Sequence, residues 1–342
     1  MQNTLFITSD FKYQGSMSKI KESQNKFIQM VNNSSMNSGN AFFINSLKTI
    51  SNLSVVFGEE NAIKLISDHK FEIIGIELKL FFSEVKLKFL DLLKSSGAKL
   101  ILYISFDGNF AKRFNINKIN DYLNLDAIFV TNLLKELNEY NLDSKIKNKI
   151  HSSFLGLGYL GIQYDTASKS FINLPFSDQN YEKKYDFFFA GSTTPSKKIR
   201  VDVISRLEKD ERIKKYNFYL KHFKEGDSSL YLNYKEFYKK LKSSLICLDL
   251  SGQYDNLTMR FNEIILCGEL PIVDYGFKKF SVSSMYEDII DEILFHNNEE
   301  LFSLIDKYRD ERKREKIRLE INDIFSKYYN PHIHGEYILS RI

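Results

Sequence analysis

Along the chain, short apolar runs alternate with stretches of helical period. Leu5-Phe6-Ile7, Phe71–Ile76, Ala98–Ser105 and Ala127–Val130 read as strands. Between them, Val85 to Lys94 predicts a helix with Leu87, Leu90 and Leu93 on one face. The segment from Ser16 to Asn40, rich in Asn and Ser, predicts a helix flanked by a polar loop. Strands separated by amphipathic helices form βαβ units, which implies a parallel sheet with right-handed crossovers.

The pattern restarts after residue 180. Tyr185–Ala190 predicts a strand that ends at Gly191-Ser192, followed by a helix with Ser196 as N-cap and Ile199, Val203 and Leu207 on its apolar face. Tyr216–Leu220, Ser244–Leu248 and Leu270–Val273 read as further strands, with helices over Tyr234–Leu241 and Arg260–Cys267. Residues 150–180 hold Gly156, Gly158, Gly161 and Pro175 without a sustained period, and predict a linker. The expected architecture is two α/β domains in tandem, 1–165 and 166–342, with ligands at the carboxyl ends of the strands.

Composition narrows the class. The 342 residues suit two domains of about 150 residues each. Lys and Arg number 48 against 44 Asp and Glu, a net charge of +4, short of a dedicated nucleic-acid domain. No apolar run approaches the ~20 residues that cross a bilayer, and the amino terminus turns polar at Thr8-Ser9-Asp10. Two cysteines, Cys247 and Cys267, build no disulfide framework. These features predict a reduced, cytoplasmic protein, with a peripheral position at the inner face of a membrane left open. The abundance of Phe, Tyr, Lys, Asn and Ile reads as nucleotide bias rather than function.

Several stretches carry candidate chemistry. Gly156 to Gly161 spells G-x-G-x-x-G, yet no helical face follows it, so it reads as linker rather than as a dinucleotide loop. Gly191-Ser192 has a better context, because a strand precedes it and a helix start follows, where free N–H groups attract anions; Arg200 lies one turn inside. Thr258 predicts a helix cap, with Phe261, Ile264 and Ile265 facing the core and Arg260 and Glu263 sharing an edge at i and i+3. A guanidinium suits a diphosphate and a carboxylate suits a ribose diol, although an i,i+3 ion pair on a solvated face has the same spacing. Asp107 follows the Ala98–Ser105 strand, where a carboxylate can act as general base; Asp-Gly is also a common turn. The lysines and aromatics between Lys221 and Lys242 read as a helix with a basic outer side and an aromatic inner side. His332 and His334 lack the company of a metal site.

Taken together, Tyr185–Ser192, Asp255–Glu263 and Ile265–Asp274 resemble the nucleotide-binding domain of GT-B glycosyltransferases, especially the bacterial spore-maturation-protein-like group. The resemblance covers about residues 180–342; where the family often has Phe before the Glu, this chain has Asn262. It implies an α/β fold of GT-B architecture, two Rossmann-like domains with parallel sheets facing across a cleft. It also implies an enzyme that moves a sugar from a nucleotide-sugar donor, UDP- or GDP-linked, to an acceptor hydroxyl. Carried over, Gly191, Ser192 and Arg260 would hold the diphosphate with Arg200 as a weaker candidate, Glu263 would bind the ribose, and Asp107 would deprotonate the acceptor. The resemblance implies no bound metal and no cofactor, and no Asp-x-Asp occurs in the chain. Surface-glycan synthesis is the expected role. The same signature resembles bacteriophage DNA glucosyltransferases, which would make DNA the acceptor. A non-catalytic nucleotide-sugar-binding protein or a GT-B-fold epimerase would also fit these residues.

Overall fold

The structure, a computed structural model, describes residues 2–9, 21–22, 24–26, 28–29, 40–82, 85–105, 115–140, 142–154, 163–165, 167–168, 170–172, 181–223, 232–252 and 256–342. The chain divides into two compact units, residues 1–173 with 329–342, and residues 174–328. The expected boundary at 165/166 left the carboxyl terminus in the second domain; its contacts place it with the first unit.

In the first unit the described elements are β1 (Gln2–Thr8), α1 (Ala41–Ile50), β2 (Ser51–Phe57), α2 (Gly58–Asp68), β3 (Ile73–Glu77), α3 (Leu87–Ser95), β4 (Lys99–Ile104), α4 (Ile116–Leu123), β5 (Ala127–Val130), α5 (Ser144–Lys147) and β6 (Ile150–Ser152). A short antiparallel pair follows, β7 (Gln163–Asp165) and β8 (Ser170–Ile172). Residues 21–22, 24–26 and 28–29 are helical, within the helix expected there. The six strands β1–β6 form one parallel sheet in the order β2-β1-β3-β4-β5-β6.

Helices cover both faces of this sheet, which is why its strands are continuous apolar runs. Leu5, Ile7, Ile74, Ile76, Leu100 and Leu102 point to one face, against Ala62, Phe89 and Leu93. Phe6, Ile73, Ile101, Tyr103 and Phe129 point to the other, against Phe43, Ile44 and Leu47 of α1. Phe43 stacks on Tyr103 with ring centroids 4.2 Å apart. At Gly75 a Cβ would sit 2.8 Å from the Phe6 ring, so only glycine leaves room for that layer. One expected helix face is corrected: α3 buries Phe89 and Leu93, while Leu87 stays 62% exposed because its position at the first turn lies away from the sheet.

The second unit contains β9 (Tyr185–Ser192), α6 (Lys198–Lys209), β10 (Phe218–Phe223), α7 (Tyr234–Lys242), β11 (Ser244–Asp249), α8 (Arg260–Leu266), β12 (Pro271–Asp274), β13 (Leu294–Phe295), α9 (Asn298–Tyr308) and α10 (Glu311–Tyr328). Its sheet is also parallel, in the order β10-β9-β11-β12-β13. Ile199, Val203 and Leu207 of α6 are buried, as are Phe261, Ile264 and Ile265 of α8. Gly268, at φ +74°, ends α8 in the left-handed conformation that favours glycine.

The last helix, α11 (Pro331–Leu339), packs on α1 of the first unit. His334 is buried among Phe42, Phe43, Phe129 and Phe154, and its Nδ1 lies 3.2 Å from the Ser46 hydroxyl. Burial pushes the imidazole down to about 3. The unfolded chain therefore gains a proton below about pH 6.5 while the folded His334 stays neutral. Its contribution to stability is complete above about pH 6.5 and is lost as the pH falls toward 3. Thermal unfolding of wild type and His334→Gln should converge between about pH 6.5 and 5, because glutamine keeps a polar contact to Ser46 without titrating. A constant difference in melting temperature across that window would refute this.

Candidate functional site

In an open parallel sheet, ligands bind beyond the carboxyl ends of the strands, at the point where the strand order reverses. In the second unit that point lies between β9 and β11. Gly191, Ser192, Arg200, Arg260 and Glu263, singled out from the sequence, collect there.

β9 extends two residues beyond its expected end, through Gly191 and Ser192, because β10 continues to pair with it: His222 lies opposite Gly191 and Phe223 opposite Ser192. The chain then turns at Thr194-Pro195, where the N–H of Lys197 donates to the Thr194 carbonyl at 2.9 Å, before α6 begins. This turn overrides the expected cap. Lys197 rather than Ser196 occupies the N-cap position, and the Ser196 hydroxyl instead lies 3.1 Å from that of Thr194. The Lys197 ammonium bonds the Ser192 hydroxyl.

Arg260, the first residue of α8, is held on three sides. Its Nε donates to Glu263 Oε2 at 3.0 Å, its Nη1 donates to the Ala190 carbonyl at 2.9 Å, and its guanidinium sits 4.3 Å from the Phe237 ring centroid. Its Nη2 bonds no described residue, and its side chain keeps 25% exposure. Glu263 is largely buried, which pushes its carboxyl up against the opposing pull of Arg260. The two are thus no loose ion pair on a solvated face, although their spacing alone would allow one. Thr258 acts two residues before the helix: its hydroxyl accepts the Arg260 N–H at 3.1 Å and donates to Asp249 Oδ1 at 2.5 Å.

Arg200 is placed differently. Its Nη1 donates to the Ser192 carbonyl at 3.2 Å and its Nη2 to the Leu250 carbonyl at 2.6 Å, clasping the ends of β9 and β11 where they diverge. It is 8% exposed, its Nε has no partner among the described residues, and burial lowers its affinity for the proton to about 10. Gly191 faces it closely: a Cβ there would lie 3.0 Å from the Phe189 ring and 3.4 Å from Nη1 of Arg200.

Two carboxyl groups in this cluster carried no signal beyond their place after an expected strand. Asp249 ends β11 and Asp274 ends β12. Burial raises Asp249 to about 7, with the neighbouring Asp274 adding to the shift and Thr258, Arg200 and Arg260 opposing it. Asp274 is also raised by burial, and accepts the N–H and hydroxyl of Ser251 at 2.5 and 2.7 Å and the Gly276 N–H at 2.8 Å. The edge therefore joins two guanidiniums to three buried carboxyl groups. Arg260 combines a donor nitrogen without a partner among the described residues with a partly exposed side chain.

The carboxyl edge of the first unit's sheet has another character. At its reversal point, between β1 and β3, the buried Glu77 accepts from Asn40 Nδ2 at 3.0 Å and from the Thr8 hydroxyl, and meets Lys79 Nζ at 3.1 Å. Beyond β4, β5 and β6 lie Ser105, Asn132 and Ser153. The Ser105 and Ser153 hydroxyls and both amide atoms of Asn132 are buried without a partner among the described residues. Asp107 and the 156–161 glycines lie outside the described residues. Among the described residues, no three His, Cys, Asp or Glu side chains are grouped to hold a metal ion, and no helix is long and apolar enough to cross a membrane.

No protein-family model and no curated protein sequence matches the chain. Among solved structures, Anabaena HepE in complex with UDP-glucose aligns over 100% of both chains with a TM-score of 0.50 at 11% identity. The same protein with UDP and glucose gives 0.49 over 99% of each chain at 11% identity. The glycotransferase of kitacinnamycin gives 0.43 at 8% identity, over 100% of this chain and 99% of that one. The likeness to HepE is one of fold, and it agrees with the GT-B, two-unit α/β architecture expected from the sequence.

Proposed function

We propose that the chain is a glycosyltransferase that binds a nucleotide-sugar at the carboxyl edge of its second unit and transfers the sugar to an acceptor hydroxyl. The observation that carries this reading is the Arg260–Glu263 pair at the β9/β11 reversal point, with a guanidinium nitrogen and a carboxylate oxygen both left without partners among the described residues. The free nitrogen suits a diphosphate oxygen, and the free Glu263 oxygen suits a ribose hydroxyl. HepE, which shares the fold, was crystallised with UDP-glucose, which supports a UDP-linked donor.

In this reading no metal is required: Arg260 and the amide groups leading into α6 offset the charge that grows on the departing diphosphate. Gly191 and Ser192 supply close backbone approach, and Arg200 keeps the strand ends in place. The acceptor belongs to the first unit. The groups of Ser105, Asn132 and Ser153 without a partner among the described residues are neutral hydroxyls and an amide, which match the hydroxyls of a glycan better than the phosphates of a nucleic acid. A glycan acceptor, as in surface-polysaccharide synthesis, follows, with Asp107 as the base that takes its proton.

The test is thermal unfolding with UDP-, GDP-, CMP- and dTDP-sugars. A ligand at about 100 times its Kd adds roughly 2.7 kcal/mol of stability. Stabilisation by one base, UDP foremost, is the expected result. No shift with any of the four would remove the donor reading.

A further inference from the structure

Thr193, the first residue beyond β9, holds its hydroxyl 3.1 Å from Nδ1 of His222 on β10. His222 Nε2 lies in turn 2.7 Å from Oε1 of Glu208 on α6. The register explains the alignment. His222 pairs with Gly191, so its side chain shares a sheet face with Thr193, two residues further on. That is the face α6 covers, since a Cβ on Gly191 would touch Arg200 of that helix. The Thr193 N–H donates to the Phe223 carbonyl at 2.9 Å, which fixes the backbone beneath the hydroxyl.

A carboxylate only accepts hydrogen bonds, so the pairing with Glu208 keeps a proton on Nε2. Nδ1 then decides what the hydroxyl offers a ligand. On a neutral imidazole Nδ1 accepts the hydroxyl proton, and Thr193 presents only lone pairs. On an imidazolium Nδ1 donates to the hydroxyl oxygen, and the hydroxyl proton is free to point at an anion.

We propose that His222 is a positioning residue that converts Thr193 into a hydrogen-bond donor toward the diphosphate of the nucleotide-sugar, with one proton taken up from solvent at Nδ1 as the anion binds. The proposal rests on the donor site described above, whose Gly191-Ser192 segment adjoins Thr193. Among the described residues, Glu208 of α6 is the charged group in contact with the imidazole. Arg200 of the same helix bonds the Ser192 carbonyl, Lys197 of the turn before it bonds the Ser192 hydroxyl, and Lys221, adjacent to His222 on β10, points to the other face of the sheet. An anion at the Thr193 hydroxyl calls for the hydroxyl proton, which is available only when Nδ1 donates to the hydroxyl oxygen.

The experiment measures Kd for UDP-glucose and GDP-mannose by calorimetry from about pH 5.5 to 8.5, in buffers of differing ionisation heat. The doubly substituted diphosphate of either probe does not titrate in this range, so a slope belongs to the protein. For the probe that binds, wild type should tighten by up to roughly tenfold per pH unit as the pH falls through the imidazole range, with proton uptake. Thr193→Ser should keep the slope, while Thr193→Val and His222→Gln should flatten it at unchanged melting temperature. Binding with a flat wild-type profile, or a slope retained in Thr193→Val, overturns the switch and leaves the donor site standing. Failure of both probes to bind at any pH overturns the two together.

Discussion

Replacing Arg260 by alanine should leave a folded protein that binds a nucleotide-sugar about 100-fold more weakly. The substitution removes the donor nitrogen left without a partner among the described residues and, with it, the bonds to Glu263 and to the Ala190 carbonyl and the contact with Phe237. Charge-assisted bonds to a diphosphate are each worth about 1.5–3 kcal/mol, so affinity should fall by about 100-fold. In the proposed reading the same cation stabilises the leaving group, so kcat should drop by a further 10²–10³-fold, roughly the loss seen when one oxyanion donor is deleted. The cost to folding is smaller, about 1–3 kcal/mol, because the stranded Glu263 already holds its proton more tightly than usual and can neutralise. Arg260→Lys keeps the charge without the fork and should recover only part of the affinity. Calorimetric titration with UDP-glucose and a transfer assay check both effects. Near wild-type affinity in the alanine variant would remove Arg260 from the donor site.

Arg200→Met should do the opposite, with its main effect on the unliganded fold. The side chain is buried, and its two terminal nitrogens hold the Ser192 and Leu250 carbonyls. Methionine fills much of the volume but leaves both carbonyls unpaired at the end of the sheet. It also removes the cation that opposes the upward shift of Asp249 and Asp274. Breaking a buried charged cluster from one side costs about 3–5 kcal/mol, roughly 10 °C in melting temperature for a unit of this size. Scanning calorimetry without ligand reads this directly. A melting temperature within about 2 °C of wild type would mean that Arg200 is not the clasp, and would return it to the candidates for direct diphosphate contact.

These two arginines show where local sequence stops being informative. The spacing of Arg260 and Glu263 on one helix edge sets their pairing, because i,i+3 neighbours meet wherever the helix forms. Arg200 also follows an anion-loop pattern, yet its guanidinium is consumed by two carbonyls 8 and 50 positions away.

By itself, the sequence determined the α/β class and most of the strands. A parallel strand covered on both faces must be apolar at successive positions, and Ala127–Val130, Ser244–Asp249 and Pro271–Asp274 carry that mark. It determined the end of α8 as well, since Gly268 supplies the left-handed residue a helix end favours. It did not reveal β2, an edge strand whose Asn52 stays exposed and which therefore lacks a continuous apolar run. Nor did it show which face of α3 meets the sheet, because leucines and a phenylalanine offered competing stripes. Tertiary structure alone decided the return of α11 to the first unit, the joining of Asp249 and Asp274 to the arginines, and the Glu208–His222–Thr193 chain. The first depends on one helix packing on another, with Ser46 and His334 meeting across 288 positions of sequence. The other two depend on groups distant in sequence meeting at a strand end, where no periodicity encodes the pairing and the register of the sheets does.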